Sequence, residues 1–266
     1  MKLIGTFLLF LLYGLSYGQA FKSNSIGIGF GASNFHIVDE HTSPLLFRGT
    51  GIAPCIQFLH KGAKNIHQVE GSYFYDNLST SADNFNTENF RGKFAYSVGH
   101  KVLSGAIFKN RFEFFLGGSF TSFFCKSDYY FDMQNIQARS ISSWYWGHSL
   151  DLTIRTDYYL STRDFFNIQL RLPVLSNVSR PTYSPRADYN IEKNDWEIKT
   201  FGKTVFIPEN FTVDISLTYQ RQLSASIQLQ LNYEFYYLNY DDPARVSMYM
   251  NNYRVGFCYI FSSRLK

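Results

Sequence analysis

Residues 227–237 read IQLQLNYEFYY. Ile227, Leu229, Leu231, Tyr233, Phe235 and Tyr237 fall on one parity, and Gln228, Gln230, Asn232, Glu234 and Tyr236 on the other. A strand sends successive side chains to opposite faces, so this spacing predicts a strand with one apolar and one polar face. The same period recurs in residues 24–35, 48–59, 66–76, 90–102, 110–124, 143–158, 164–172, 211–221 and 252–261. In 90–102, Phe94, Tyr96 and Val98 oppose Arg91, Lys93 and Ser97; in 211–221, Val213, Ile215 and Leu217 oppose Asp214, Ser216 and Thr218. Ten strands are predicted.

The links between them alternate in length. Short links lie at 60–65, 103–109, 159–163 and 222–226, and long ones at 36–47, 77–89, 125–142, 173–210 and 239–251. An even strand count with alternating short and long links predicts an all-β, transmembrane, antiparallel up-and-down β-barrel. Its short turns face the periplasm and its long loops the outside. The apolar face then meets lipid and the polar face the lumen. A closed ring is required because every backbone N–H and C=O needs a partner in hydrocarbon. The link at 173–210 contains Pro173, Pro181, Pro185 and Pro208, which a central strand excludes. Residues 195–207 can nonetheless form a strand, paired with 183–192; if both entered the barrel the count would be twelve.

Composition sharpens this picture. Aromatic residues make up 19%, with 27 Phe and 20 Tyr, yet the mean hydropathy is only −0.19. Lipid-facing bands and interfacial girdles use such aromatics, and alternation keeps the mean low. No run after residue 20 approaches the roughly 18 apolar residues of a helical span. The opening MKLIGTFLLFLLYGLSYGQA has a positive Lys2, an apolar run over 3–15 and small residues at Ser16, Gly18 and Ala20. It reads as a secretory signal (1–20), cut after Gly18 or Ala20, leaving 21–266 as a single barrel domain. The net charge of +4 is scattered, which gives no nucleic-acid footprint. Cys55, Cys125 and Cys258 are too sparse for a disulfide framework and lack zinc-site spacing. No metal or other cofactor is expected.

The terminal run YRVGFCYIF (253–261) resembles the C-terminal β-signal of bacterial outer-membrane proteins, although SSRLK follows Phe261. The Tyr/Phe/Asn-rich strands, the signal ending YGQA and the stretch SRPTYSP are similar to those of small, porin-like outer-membrane barrels of the Bacteroidota type. The resemblance implies an outer-membrane location, contact with membrane lipid, and recognition by the assembly machinery through the last strand. It implies no activity.

Candidate chemistry lies on the inward parity, which carries Arg91, Lys93, Lys101, Arg111, Glu113, Asp151, Arg155, Asp157, Arg171, Asp214, Glu234 and Arg254. Simple hairpin registers bring Asp151 near Arg171 and Asp214 near Glu234, with Arg254 about one strand away. Two readings follow. The residues could form a constriction that selects ions in a small porin-like channel. Alternatively, they could pair off and fill a closed structural or partner-binding barrel that acts through its outer loops. Catalysis is not expected. Omptin proteases combine acidic residues with a rim His, and no His accompanies Asp214 and Glu234. Outer-membrane phospholipases and lipid A deacylases place His and Ser two apart, whereas His148 and Ser149 are adjacent and so point to opposite faces. Loop aromatics (Tyr129, Tyr130, Phe131, Tyr183, Tyr189, Trp196, Tyr240, Tyr249) could dock a protein or glycan. Gly27, Gly29 and Gly31 are thin lumenal positions and not a nucleotide loop.

Overall fold

The computed structural model describes residues 23–81, 85–107, 110–133, 136–181 and 198–261, with backbone only for the strand residues of 131–141. Strand β1 (Ser23–Asp39) shows the rule that most of the others follow. Ile26, Ile28 and Phe30 face outward and Gly27, Gly29, Gly31 and Ser33 inward. Beyond Ser33 the parity holds but the polarity of the two faces exchanges: Phe35 and Ile37 are buried inside, while Asn34 and His36 face out.

The remaining strands are β2 (Ser43–Ile52), β3 (Cys55–Lys61), β4 (Asn65–Ser79), β5 (Phe85–Ile107), β6 (Asn110–Met133), β7 (Ile136–Tyr159), β8 (Asp164–Ser179), β9 (Lys203–Phe206), β10 (Asn210–Gln222), β11 (Ile227–Tyr240) and β12 (Val246–Phe261). All pairings are antiparallel. The ring closes through β1 with β12 and β8 with β10. These twelve segments make ten staves. β2 and β3 pair with β1 in one continuous register, from Ala32↔Ile52 to Gly29↔Cys55. The stave breaks at Pro54, which has no N–H to give the ladder. β9 and β10 likewise share a side of β8. Between Leu175↔Phe206 and Arg171↔Asp214, four steps on β8 oppose eight on the other stave, so the extra residues bulge out around 207–209.

Residues 203–206 therefore lengthen a stave rather than adding one, and among the described residues the ring has the expected ten staves. The expected partner segment, 183–192, lies outside the described residues, as do the signal at 1–20 and the tail after Phe261. The expected link at 173–210 begins later, since β8 continues to Ser179. Pro173 fits because the register against β7 shifts there, between Asp151↔Pro173 and Leu150↔Leu175. A bulge is one of the places where a sheet tolerates a missing N–H.

Four of the five long links are also shorter than expected. Most of 36–47, 77–89, 125–142 and 239–251 is strand. β6 and β7 each run 24 residues, far beyond the roughly 9–11 that cross a bilayer. The chain stays extended beyond the membrane, and the polar face moves outward because water replaces lipid there.

The outward belt fixes where the bilayer lies. Ile28, Phe30, Leu150, Tyr253, Val255, Phe257 and Tyr259 are each more than half exposed, and a soluble protein would not leave so continuous an apolar surface. An Arg in place of Val255 should cost about 2–4 kcal/mol in refolding into lipid vesicles. The same change at Ser247, outward on the same strand but above the belt, should cost at most about 1 kcal/mol. Equal costs at the two positions would misplace the membrane.

Candidate functional site

The interior is organised in layers. At the periplasmic end, Glu113 receives Lys61 (2.6 Å), Lys101 (3.0 Å), Arg111 (2.6 Å) and the hydroxyl of Tyr159 (2.9 Å). Lys61 also reaches Asp157 at 2.6 Å, and its ammonium sits over the rings of Phe115 and Tyr159. Arg155 pairs with Asp157 at 2.7 Å and donates to Gln68 at 2.8 Å.

The middle layer contains the residues singled out from the sequence. β8 and β10 bring Arg171 opposite Asp214, and the pair closes at 3.0 Å. The second arm of Arg171 holds Glu70 at 2.9 Å. Lys93 crosses from β5 to bridge Asp214 (2.6 Å) and Glu234. Arg254 closes on Glu234 at 2.8 Å, and the Asn252 amide donates to the same carboxylate at 2.9 Å. Three cations, Lys93, Arg171 and Arg254, thus meet three carboxylates, Glu70, Asp214 and Glu234. All six are buried. In a low-dielectric interior such charges persist only when matched and hydrogen-bonded.

The expected meeting of Asp214 and Glu234 is through a shared ammonium rather than as a bare acid pair. Asp151 does not meet Arg171 in an ion pair. It lies across from Pro173 and Ser119, and accepts from the Ser119 and Thr121 hydroxyls at 3.0 and 2.5 Å. From the hairpin the register runs unbroken through Thr153↔Arg171 to Asp151↔Pro173, so Arg171 faces Thr153 and its guanidinium turns to Asp214 and Glu70 instead.

Above the charges lies an apolar plug. Phe35, Phe47, Phe74, Leu78, Phe123, Tyr129, Tyr145, Tyr236, Leu238, Met248 and Met250 form one buried cluster inside the outer half of the barrel. Arg91 crosses it, paired with Asp76, its guanidinium 3.7 Å from the centre of the Phe35 ring and 4.9 Å from that of Phe74. At the top, Arg180 holds Asp39 at 2.7 Å and the Ala244 carbonyl at 2.5 Å. Tyr129 and Tyr240, expected in outer loops, belong to this plug, whereas Tyr130 and Tyr249 do face outward. Tyr183, Tyr189 and Trp196, and the side chain of Phe131, lie outside the described residues.

Two internal cavities, one beside Asp151 and Asp214 and one beside Glu70 and Arg254, have about 20 Å³ each. That is space for about one water. Gly27 and Gly29 add to the closure. A Cβ at Gly29 would lie 2.8 Å from Sγ of Cys55, and one at Gly27 would lie 2.7 Å from Sγ of Cys258, so these thin positions are filled by their neighbours. Among the described residues, no three or more His, Cys, Asp or Glu side chains gather as a metal site.

Sequence reasoning missed Lys61, Glu70, Asp76, Asp39 and Arg180. Lys61 falls in a predicted turn, and Asp39 and Arg180 fall in predicted loops. Glu70 and Asp76 were legible, since both share the inward parity of β4 with Gln68 and Ser72.

A lipid-facing belt around a closed antiparallel ring defines the chain as an outer-membrane β-barrel. A solved structure agrees on the fold. The chain is similar to the outer-membrane protease OmpT of Escherichia coli, at 8% identity and TM-score 0.52, covering 92% of this chain and all of that one. It also matches the β domain of the Bordetella autotransporter BrkA, at 11% identity and TM-score 0.48, covering 91% of this chain and all of that one. The translocator domain of the autotransporter NalP from Neisseria meningitidis matches at 10% identity and TM-score 0.46, covering 97% of this chain and 94% of that one. No protein-family model matches the sequence. No curated protein matches it either.

Proposed function

We propose that this barrel is closed to solutes and serves as a membrane-anchored stem, presenting its tall outer hairpins to a protein or glycan partner. The supporting observation is the filled interior: a neutral ion-pair layer capped by an apolar plug, with about 20 Å³ in each of the two cavities beside that layer. A porin-like channel would need both layers to move aside together. Outward-facing Tyr130 on β6 and Tyr249 on β12 provide aromatic contact points on the outer walls. Contact with membrane lipid through the belt, recognition of β12 by the assembly machinery and a Bacteroidota-type origin belong to the same reading.

The proposal includes no catalysis. His148 faces outward, stacked on Phe120 and tilted against Phe201, while Ser149 follows the inward parity of Gly147 and Asp151. The likeness to OmpT is one of fold.

The test is conductance across a planar bilayer, with folding verified by heat-modifiable gel mobility. The folded protein should be silent in both low and high salt. Discrete openings whose ion selectivity disappears in Asp214→Ala would overturn the closed reading and restore the channel.

A further inference from the structure

At the periplasmic end of the outer wall, β3 and β4 set His60 directly opposite His67. Both lie on the outward parity, just below the apolar belt at Phe58 and Val69. Their ring centroids are 5.8 Å apart. Two imidazoles bound to one zinc-like ion, with nitrogens about 2.0–2.1 Å from the metal and tetrahedral angles, place their centroids roughly 5 Å apart. The two facing rings are therefore at a separation from which both can reach one ion.

The second observation concerns the other ring nitrogens. Nδ1 of His60 lies 2.6 Å from the Asn24 side-chain carbonyl on β1, which can only accept, so the proton sits on Nδ1 and Nε2 carries the lone pair. Nδ1 of His67 lies 3.0 Å from the Tyr96 hydroxyl on β5. Metal-binding histidines are held in this way, with one ring nitrogen tied to a neighbour that orients the ring. The Asn24 oxygen also fixes the tautomer of His60, whereas the Tyr96 hydroxyl can donate or accept and would accept from Nδ1–H of His67 when Nε2 binds the ion. Here the flanking strands β1 and β5 supply those neighbours, so four consecutive staves build one arrangement. His100 carries a similar bond, from Nδ1 to Asn65 at 2.8 Å, but stands opposite Asn65 and outside the facing pair.

We propose that His60 and His67 form a two-ligand site for a divalent transition ion of the Cu²⁺, Ni²⁺ or Zn²⁺ class, with water completing the coordination. Imidazole donors favour these ions over Mg²⁺ or Ca²⁺, and the order of affinity should place Cu²⁺ first. The site opens to the periplasmic side of the membrane and is independent of whether the lumen conducts.

The experiment uses the full-length, untagged protein refolded in detergent, titrated with Cu²⁺, Ni²⁺, Zn²⁺ and Mg²⁺ by calorimetry. Electron paramagnetic resonance of the Cu²⁺ form reads the number of bound nitrogens. One ion per chain is expected, with two nitrogen ligands and no binding of Mg²⁺. His60→Gln and His67→Gln should each lower the affinity at least about tenfold, and Asn24→Ala about 10–100-fold through the loosened tautomer. His100→Gln and His36→Gln should leave it unchanged. Wild-type affinity in the His60→Gln/His67→Gln double variant, or an equal loss in His100→Gln, would overturn the site. All of these positions face outward, and heat-modifiable mobility confirms that each variant is folded.

Discussion

Replacing Lys93 by Met is expected to destabilise the folded barrel by about 3–5 kcal/mol, the usual cost of removing one partner from a buried ion pair. The cost arises from what remains. Lys93 bridges Asp214 and Glu234, and without its ammonium two buried carboxylates share only Arg171 and Arg254. The layer then has two cations against three anions. Adding Glu234→Gln restores the balance, so the Lys93→Met/Glu234→Gln variant should recover part of the loss, and the double-mutant cycle measures the coupling. Urea unfolding in lipid vesicles, followed by Trp fluorescence, provides the free energies. A Lys93→Met variant as stable as the parent would show that the carboxylates do not depend on the bridge.

A comparable loss, about 3–5 kcal/mol, is expected for Phe123→Ala. Phe123 lies in a stretch that the sequence assigns to the end of a membrane strand, where an outer loop should begin. In the structure it is 2% exposed, with its ring centroid 4.7 Å from that of Tyr236 and 6.3 Å from that of Tyr145. Its removal leaves a cavity in a plug that other side chains cannot easily refill. Lys126 is the control: it points outward three positions on, paired with Asp128 at the surface, and Lys126→Ala should change stability by no more than about 0.5 kcal/mol. If both variants were near neutral, the outer half of the barrel would not be a packed core.

The opening stretch, IQLQLNYEFYY, shows where sequence reading succeeds and where it stops. Gln228, Gln230, Asn232 and Glu234 do point inward, and Ile227, Leu229 and Leu231 outward. Tyr236, on the polar parity, was the visible exception. It marks the level at which the inside turns apolar, followed on the same face by Leu238 and Tyr240. The change recurs after Asn252 on β12, where Met250, Met248 and Val246 point inward, and after Ser33 on β1. A reading that requires one constant apolar parity ends each strand at this point and begins a loop. The backbone continues extended because the period of two is unchanged; only the solvent outside has changed.

The candidate site divides along the same line. Parity alone placed Arg111, Glu113, Asp151, Arg155, Arg171, Asp214, Glu234 and Arg254 inside. Which of them touch depends on contacts between staves far apart in the chain. Lys93 lies 121 positions from Asp214 and 141 from Glu234, and Arg171 lies 101 from Glu70. Only the closure of the ring brings such residues across the lumen.

The sequence by itself determined the all-β class, an even ring of ten or twelve strands, the lipid-facing and inward-facing sides of the membrane strands, and the charged interior. All of these follow from a period of two and from the need to satisfy every backbone polar group in hydrocarbon. The tertiary structure decided that the described ring has ten staves, that they rise above the membrane, that Pro54 and Pro173 interrupt ladders without ending staves, and that the interior is filled. Those outcomes depend on the register of each stave against its neighbours and on the width of the ring. A local alternation of polar and apolar residues encodes neither.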